Sequence, residues 1–264
     1  LALLTACGGK DDRAAKTSGD GEVMVFAAAS LREAMEELGD DFTAETGTPI
    51  TFNFAGSNDL AHQIAAGRGM DLFLSASEAW MDTAQSAGRL VAGTRRDLLS
   101  NALVVVERAG TEWRMETPCD LASLPFTHLA MGDPEAVPAG TYARRWLQSV
   151  DCGGAPLWDA VKERVAPAPD VRAALGLVLA DPRVAGMVYR TDVRAFAGRA
   201  TVLYEVKDGP PIRYAAAQVA EGGSPESARR FLDFLSSPKG AEVFTRHGFT
   251  PLAISPSPSA DSTP

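Results

Sequence analysis

Cysteine and histidine are scarce in this chain and nowhere spaced for a metal. Each occurs three times in 264 residues, and His62, His128 and His247 are scattered without a motif. No Cys/His cluster of metal-site spacing is present. Positive charge is also in deficit, with 25 Lys and Arg against 34 Asp and Glu and a formal net charge of −9. That balance argues against a nucleic-acid surface or an acidic-membrane patch. It does not exclude a small anion, which responds to local dipoles more than to a screened global charge. Also missing are G-x-S-x-G, H-E-x-x-H, a P-loop and G-x-G-x-x-G, so neither catalysis nor nucleotide or cofactor binding is expected. His62, five residues beyond Ser57, sits one helical turn too far along to serve that serine as a base.

What is present is an ordinary globular balance, 45% apolar and 22% charged, in a chain long enough for two lobes of about 100–120 residues each. The first residues, LALLTACGGKDD, contain Leu4-Thr5-Ala6-Cys7. This resembles a lipobox with Cys7 as the acylated residue, preceded by an apolar stretch too short to span a membrane. Residues 1–21 are then a signal remnant and tether, with a reach of roughly 20 Å, that anchors the chain to a membrane. With Cys7 assigned to lipid, Cys119 and Cys152 remain as an even pair in an exported protein. They form either a disulfide or two buried thiols.

Helical and strand signals alternate from Val23 onward. Residues 23–27 read as a strand. Leu31, Ala34, Met35, Leu38 and Phe42 then recur at helical spacing up to Gly47. Residues 49–54 alternate like a strand, 57–66 read as a helix closed by Gly67, 71–76 as a buried strand and 78–87 as a helix. A second series starts with ALVVVE at 102 and includes HLAMGDP, helices from about Thr141, Leu157 and Val171, GMVY, and ATVLYEV. Two last helices divide at Pro238. This order predicts an α/β fold of mixed sheets flanked by helices. The apolar-poor SPSPSADSTP end, within residues 251–264, is expected to be a disordered tail. The change of series places a boundary near 100–103, and a return of the last helices to the first lobe makes that lobe discontinuous.

Small or polar residues recur at the helix starts. Ser30 opens the first helix, with Glu33 completing an S-x-x-E capping box. Ser57 follows Gly56, which allows close backbone approach. Pro138, Ala139 and Gly140 precede the helix from about Thr141, and Asp170 and Val171 open another. Helix starts carry unpaired N–H groups and partial positive charge, so several facing one cleft bind an anion. Taken singly, each is an ordinary cap. Asp170 is expected to turn its carboxylate away from any anion and cap its own helix.

The segments VFAAASL, FAGSNDLAHQI, DLFLSASEAWMD, GDPEAVPAGTYA, PAPDVRAALGLV and GMVYRTD together resemble the periplasmic molybdate-binding proteins of ABC transporters, in the family's order from about Val23 to Phe249. The resemblance implies the two-lobe type II periplasmic-binding-protein fold with a ligand cleft between lobes. Lobe 1 would comprise residues 22–102 plus 212–250, and lobe 2 residues 103–211. It implies an oxyanion site made by Ser30 and Ser57 (hydroxyl and backbone N–H), the backbone N–H of Ala139 and Val171, and the Tyr189 hydroxyl. The ligand would be molybdate or tungstate, with sulfate, phosphate or another tetrahedral oxyanion as the alternative. A monomer delivering its cargo to an ABC permease with ATPase subunits, on the periplasmic or cell-surface side, is further implied. Asn58 departs from the run of serines common in that loop, and alanine stands near the second crossing where proline is common.

Overall fold

The computed structural model describes residues 21–67 and 69–253. Cys7 and the tether, and the tail from 254, lie outside the described residues. The chain runs β1 (Val23–Ala28), α1 (Arg32–Thr46), β2 (Ile50–Ala55), α2 (Ser57–Ala65), β3 (Leu72–Ser75), α3 (Glu78–Ser86) and β4 (Arg96–Ser100). It continues with β5 (Leu103–Arg108), β6 (His128–Gly132), α4 (Pro138–Ser149), α5 (Leu157–Val161), β7 (Val165–Ala168), α6 (Val171–Ala180) and β8 (Val184–Tyr189). Then follow α7 (Arg190–Ala195), β9 (Ala200–Glu205), β10 (Arg213–Gln218), α8 (Pro225–Leu235), α9 (Pro238–Arg246) and β11 (Thr250–Pro251).

Two mixed sheets result. One is six-stranded in the order β11-β4-β10-β3-β1-β2, and the other five-stranded in the order β7-β6-β8-β5-β9. Helices cover them, so central strands are buried on both faces and read as continuous apolar runs. All of β3 and all of β8 are buried. α1 turns Ala34, Met35, Leu38 and Phe42 inward, and Gly47 stops it in the left-handed conformation at φ +74°. The chain passes between sheets twice, at Asn101–Ala102 and again between β9 and β10. Phe231 of α8 meets Phe42 of α1 with ring centroids 5.0 Å apart, which brings the last helices back to the first sheet.

Several expectations change in detail. α4 starts at Pro138, not near Thr141, because proline suits the first helical position, where an N–H has no partner anyway. Ser30 does not cap α1. It lies in a 3-10 turn, Ala29–Leu31, and no side-chain cap is present there. The tail does not begin at 251: Pro251 belongs to β11 and the Leu252 N–H bonds the Leu98 carbonyl at 2.8 Å. β4, β7, β10 and α7 were not anticipated. Cys119 and Cys152 are joined by a disulfide, with Cα atoms 5.6 Å apart. Among the described residues no helix is long and apolar enough to cross a membrane.

Candidate functional site

Strand direction decides where the site falls. In the first sheet β1 is parallel to both β2 and β3, and Ala28 stands level with Ala55. Their carboxyl ends therefore open side by side. In the second sheet β6 is parallel to β7 and β8, and these carboxyl ends lead into α4, α6 and α7. A small cavity lies where the two sets meet, and Ser30, Ser57, Ala139, Val171 and Tyr189 all line it. Ligand clefts in open α/β sheets occupy this position.

On the first side, Ser57 is the first residue of α2, beyond an extended Gly56. Its Oγ accepts the Ala76 N–H at 3.0 Å, leaving the hydroxyl proton available to the cavity. Ser30 is buried at 2% exposure and its Oγ lies 2.9 Å from the Tyr214 hydroxyl. Glu33, expected to complete a capping box with Ser30, instead pairs with Arg172. The Asn58 side chain is absent from the cavity wall and donates to Asp59 at 3.0 Å.

On the second side, Ala139 is the second residue of α4, whose start sits directly on the end of β6. A Cβ added at Gly140 would stand 1.9 Å from the Gly132 carbonyl oxygen, so only glycine fits there. Val171 is the first residue of α6. Asp170 caps that helix by accepting the Ala173 N–H at 2.9 Å, and the residue also forms part of the cavity wall. Tyr189 closes β8. Its N–H donates to Asp192 Oδ2 at 3.1 Å. Its hydroxyl is buried and has no hydrogen-bond partner among the described residues. Burial raises the Tyr189 pKa well above the ordinary value, so the group keeps its proton as a donor.

Among the described residues, no Lys or Arg lines the cavity. Positive potential comes from the starts of α2, α4 and α6 and from the 3-10 turn at Ser30. Contacts across the cleft flank it on both sides. Trp80 Nε1 donates to the Ala136 carbonyl at 2.8 Å, and Arg172 pairs with Glu33. A Cβ at Gly56 would stand 2.8 Å from the Pro169 carbonyl oxygen, so the two walls already touch. Sequence reasoning did not select Asn101, Tyr214, Ala76 or Asp192. The first three act through partners distant in sequence, which no local signal marks, whereas Asp192 meets the Tyr189 N–H three residues back at the start of α7.

Residues 23–250 match the family described as bacterial extracellular solute-binding protein. The chain is 40% identical over 236 residues to the Escherichia coli molybdate-binding protein ModA, covering 88% of this chain and 90% of that protein. The periplasmic molybdate-binding protein of Azotobacter vinelandii superposes with a TM-score of 0.74 at 20% identity, over 86% of this chain and 98% of that one. The sulfate-binding protein SubI of Mycobacterium tuberculosis gives 0.75 at 15% identity, over 88% and 87%. The two scores are equivalent, so fold alone does not select the anion. The chain belongs to the bacterial extracellular solute-binding protein family.

Proposed function

We propose that this chain captures a fully deprotonated tetraoxo dianion, molybdate or tungstate, and delivers it to an ABC permease. The observation that carries the reading is the Tyr189 hydroxyl, a buried donor without a partner among the described residues, on the wall of a cavity where several helix starts and strand ends meet. The 40% identity to the Escherichia coli molybdate-binding protein supports the choice of anion. The ligand-binding residues are Ser30, Ser57, Ala139, Val171 and Tyr189. They offer hydroxyl and backbone N–H donors, which a deprotonated dianion satisfies. Hydrogen phosphate carries a proton needing an acceptor, and without one it loses on the order of 1–3 kcal/mol. Sulfate, smaller with the same charge, leaves some donors beyond reach. The lack of a full countercharge suits reversible release.

Lobe 1 is residues 22–102 plus 212–250 and lobe 2 residues 103–211, hinged at the two crossings. The anion binds one lobe, and its contacts with the other shift the population toward closure. Trp80–Ala136 and Glu33–Arg172 then hold the closed face presented to the permease. ATP hydrolysis belongs to the permease's partner subunits, and this chain is a binding protein without a catalytic role or cofactor. It works as a monomer outside the cytoplasm, tethered through acylated Cys7.

Isothermal titration calorimetry with molybdate, tungstate, sulfate and phosphate tests the reading. Submicromolar binding of the first two, with sulfate far weaker, is the expected result. Tight sulfate or phosphate binding overturns the ligand but keeps the fold, and silence with all four removes the site.

A further inference from the structure

Asn101 occupies the first crossing between the sheets, and its side chain is oriented by its own backbone. Its Oδ1 accepts the Ala102 N–H at 2.9 Å. The other end is therefore the amide NH₂, which donates to Thr191 Oγ1 at 2.9 Å and to the Tyr214 hydroxyl at 3.2 Å. A phenol oxygen that accepts from Asn101 keeps one proton to give. Ser30 Oγ lies 2.9 Å away in a pair where either oxygen can donate; with the phenol already accepting from Asn101, its remaining proton is best used toward Ser30. Ser30 thus accepts from the protein, and its own proton is left for the cavity it lines.

Burial reinforces this polarity. Tyr214 is 1% exposed and Ser30 2%, so water does not compete for either group. Desolvation also raises the Tyr214 pKa far above that of an ordinary phenol, which holds its proton in place. Ser57 is set in the same sense by the Ala76 N–H. Both serines therefore face the cavity as donors, each for a different reason.

We propose that Asn101 and Tyr214 are specificity-determining positioning residues: together they lock the Ser30 hydroxyl as a donor and so exclude an anion that brings its own proton to that position. The inference rests on the oxyanion-binding reading above. It assigns a role in ligand choice to residues that do not touch the ligand, one of them on the crossing about which the lobes turn. Because Asn101 also holds Thr191 of α7, the donor polarity of Ser30 is tied to the arrangement of the second sheet.

The test is Tyr214→Phe, titrated calorimetrically with molybdate and with phosphate at about pH 8, where phosphate is chiefly the hydrogen phosphate dianion. Molybdate affinity is expected to fall about 3- to 10-fold, the effect of one net hydrogen bond, with a smaller loss or a gain for phosphate. The preference between them therefore narrows. In a Ser30→Ala background the same change is expected to have no further effect, since coupled residues are non-additive. An unchanged affinity and preference in Tyr214→Phe overturns the proposal. So does an equal loss in the Ser30→Ala background, which marks Tyr214 as merely structural. Asn101→Ala, which leaves the Tyr214 ring in place, is a second route: the preference should narrow there as well, and an unaltered preference counts against the relay. If the wild-type chain binds no molybdate, the site reading itself fails, a result distinct from a wild type that binds and a Tyr214→Phe variant that matches it.

Discussion

Arg172 Nε stands 2.7 Å from Asp192 Oδ1, on a carboxylate with no solvent exposure. The same guanidinium reaches across the cleft to Glu33, and its neighbour Val171 lines the cavity. One side chain therefore ties the interior of the second sheet's layer to the first sheet's α1, next to the cavity. Asp192 in turn accepts the Tyr189 N–H, so the Arg172–Asp192 pair also supports the backbone of the residue that offers its hydroxyl to the cavity.

Removing Arg172 strands the Asp192 carboxylate. Loss of one partner of a buried pair costs about 3–5 kcal/mol. Arg172→Met is expected to lower unfolding stability by about 3 kcal/mol at pH 8 and by less at pH 5, where Asp192 is protonated. Urea titrations at both values check this, and equal losses would contradict it.

Burial pushes the Asp192 carboxyl up to about 7, with the Arg172 guanidinium opposing only in part. The folded chain therefore holds a proton between about pH 4 and 7 that the unfolded chain has released. Stability from this group is fully present below the unfolded pKa and is lost as pH rises through 7, with a slope of up to about 1.4 kcal/mol per pH unit. Asp192→Asn should flatten that stretch of the stability profile. An identical slope in the variant would show that another group is responsible.

Tyr189→Phe separates binding from folding. The wild-type hydroxyl is buried without a partner among the described residues, so deleting it removes a desolvation cost in the free protein. Melting of the ligand-free variant is expected at or above the wild-type temperature, while molybdate affinity weakens by about 1–3 kcal/mol. Unchanged affinity would remove Tyr189 from the site.

At Gly140 the obstacle is backbone. A Cβ there would meet the carbonyl oxygens of Gly132 and Asp133 at 1.9 and 2.7 Å. Gly140→Ala should force the start of α4 off β6, costing about 1–3 kcal/mol as overpacking, and displace the Ala139 N–H from the cavity. Thermal unfolding and a molybdate titration measure the two effects, and a variant normal in both would mean that the helix start tolerates the shift.

The strongly periodic parts of the fold were legible in the sequence. Leu31 to Phe42 announced α1 by spacing alone, and Gly47 its end, because both are local facts about a helix. β10 was not legible. RYAAAQ has no β-branched residue and only Tyr214 among the aromatics that mark strands, yet it lies between β3 and β4 and is almost wholly buried; small alanines serve a crowded interior position that local propensity does not register. The start of α4 was misplaced although Pro138 signalled it, since the prolines and glycine around it read equally well as a loop. Ser30 and Glu33 had capping-box spacing, but both found partners from remote elements, Tyr214 and Arg172.

Local chemistry in the sequence determined that this protein has helix starts rich in small residues after apolar strands, and little cation or nucleophile chemistry beside them. A helix start exposes N–H groups because of backbone geometry alone, so each potential anion contact was visible in isolation. Whether those starts face one another depends on strand direction and order, which are set by pairings between segments far apart in the chain. Only the tertiary structure decided that the carboxyl ends of β1, β2 and β3 confront those of β6, β7 and β8. It alone aligned Asn101, Tyr214 and Ser30, residues separated by up to 184 positions, into a hydrogen-bonded chain, because such partners meet only once remote segments have packed together.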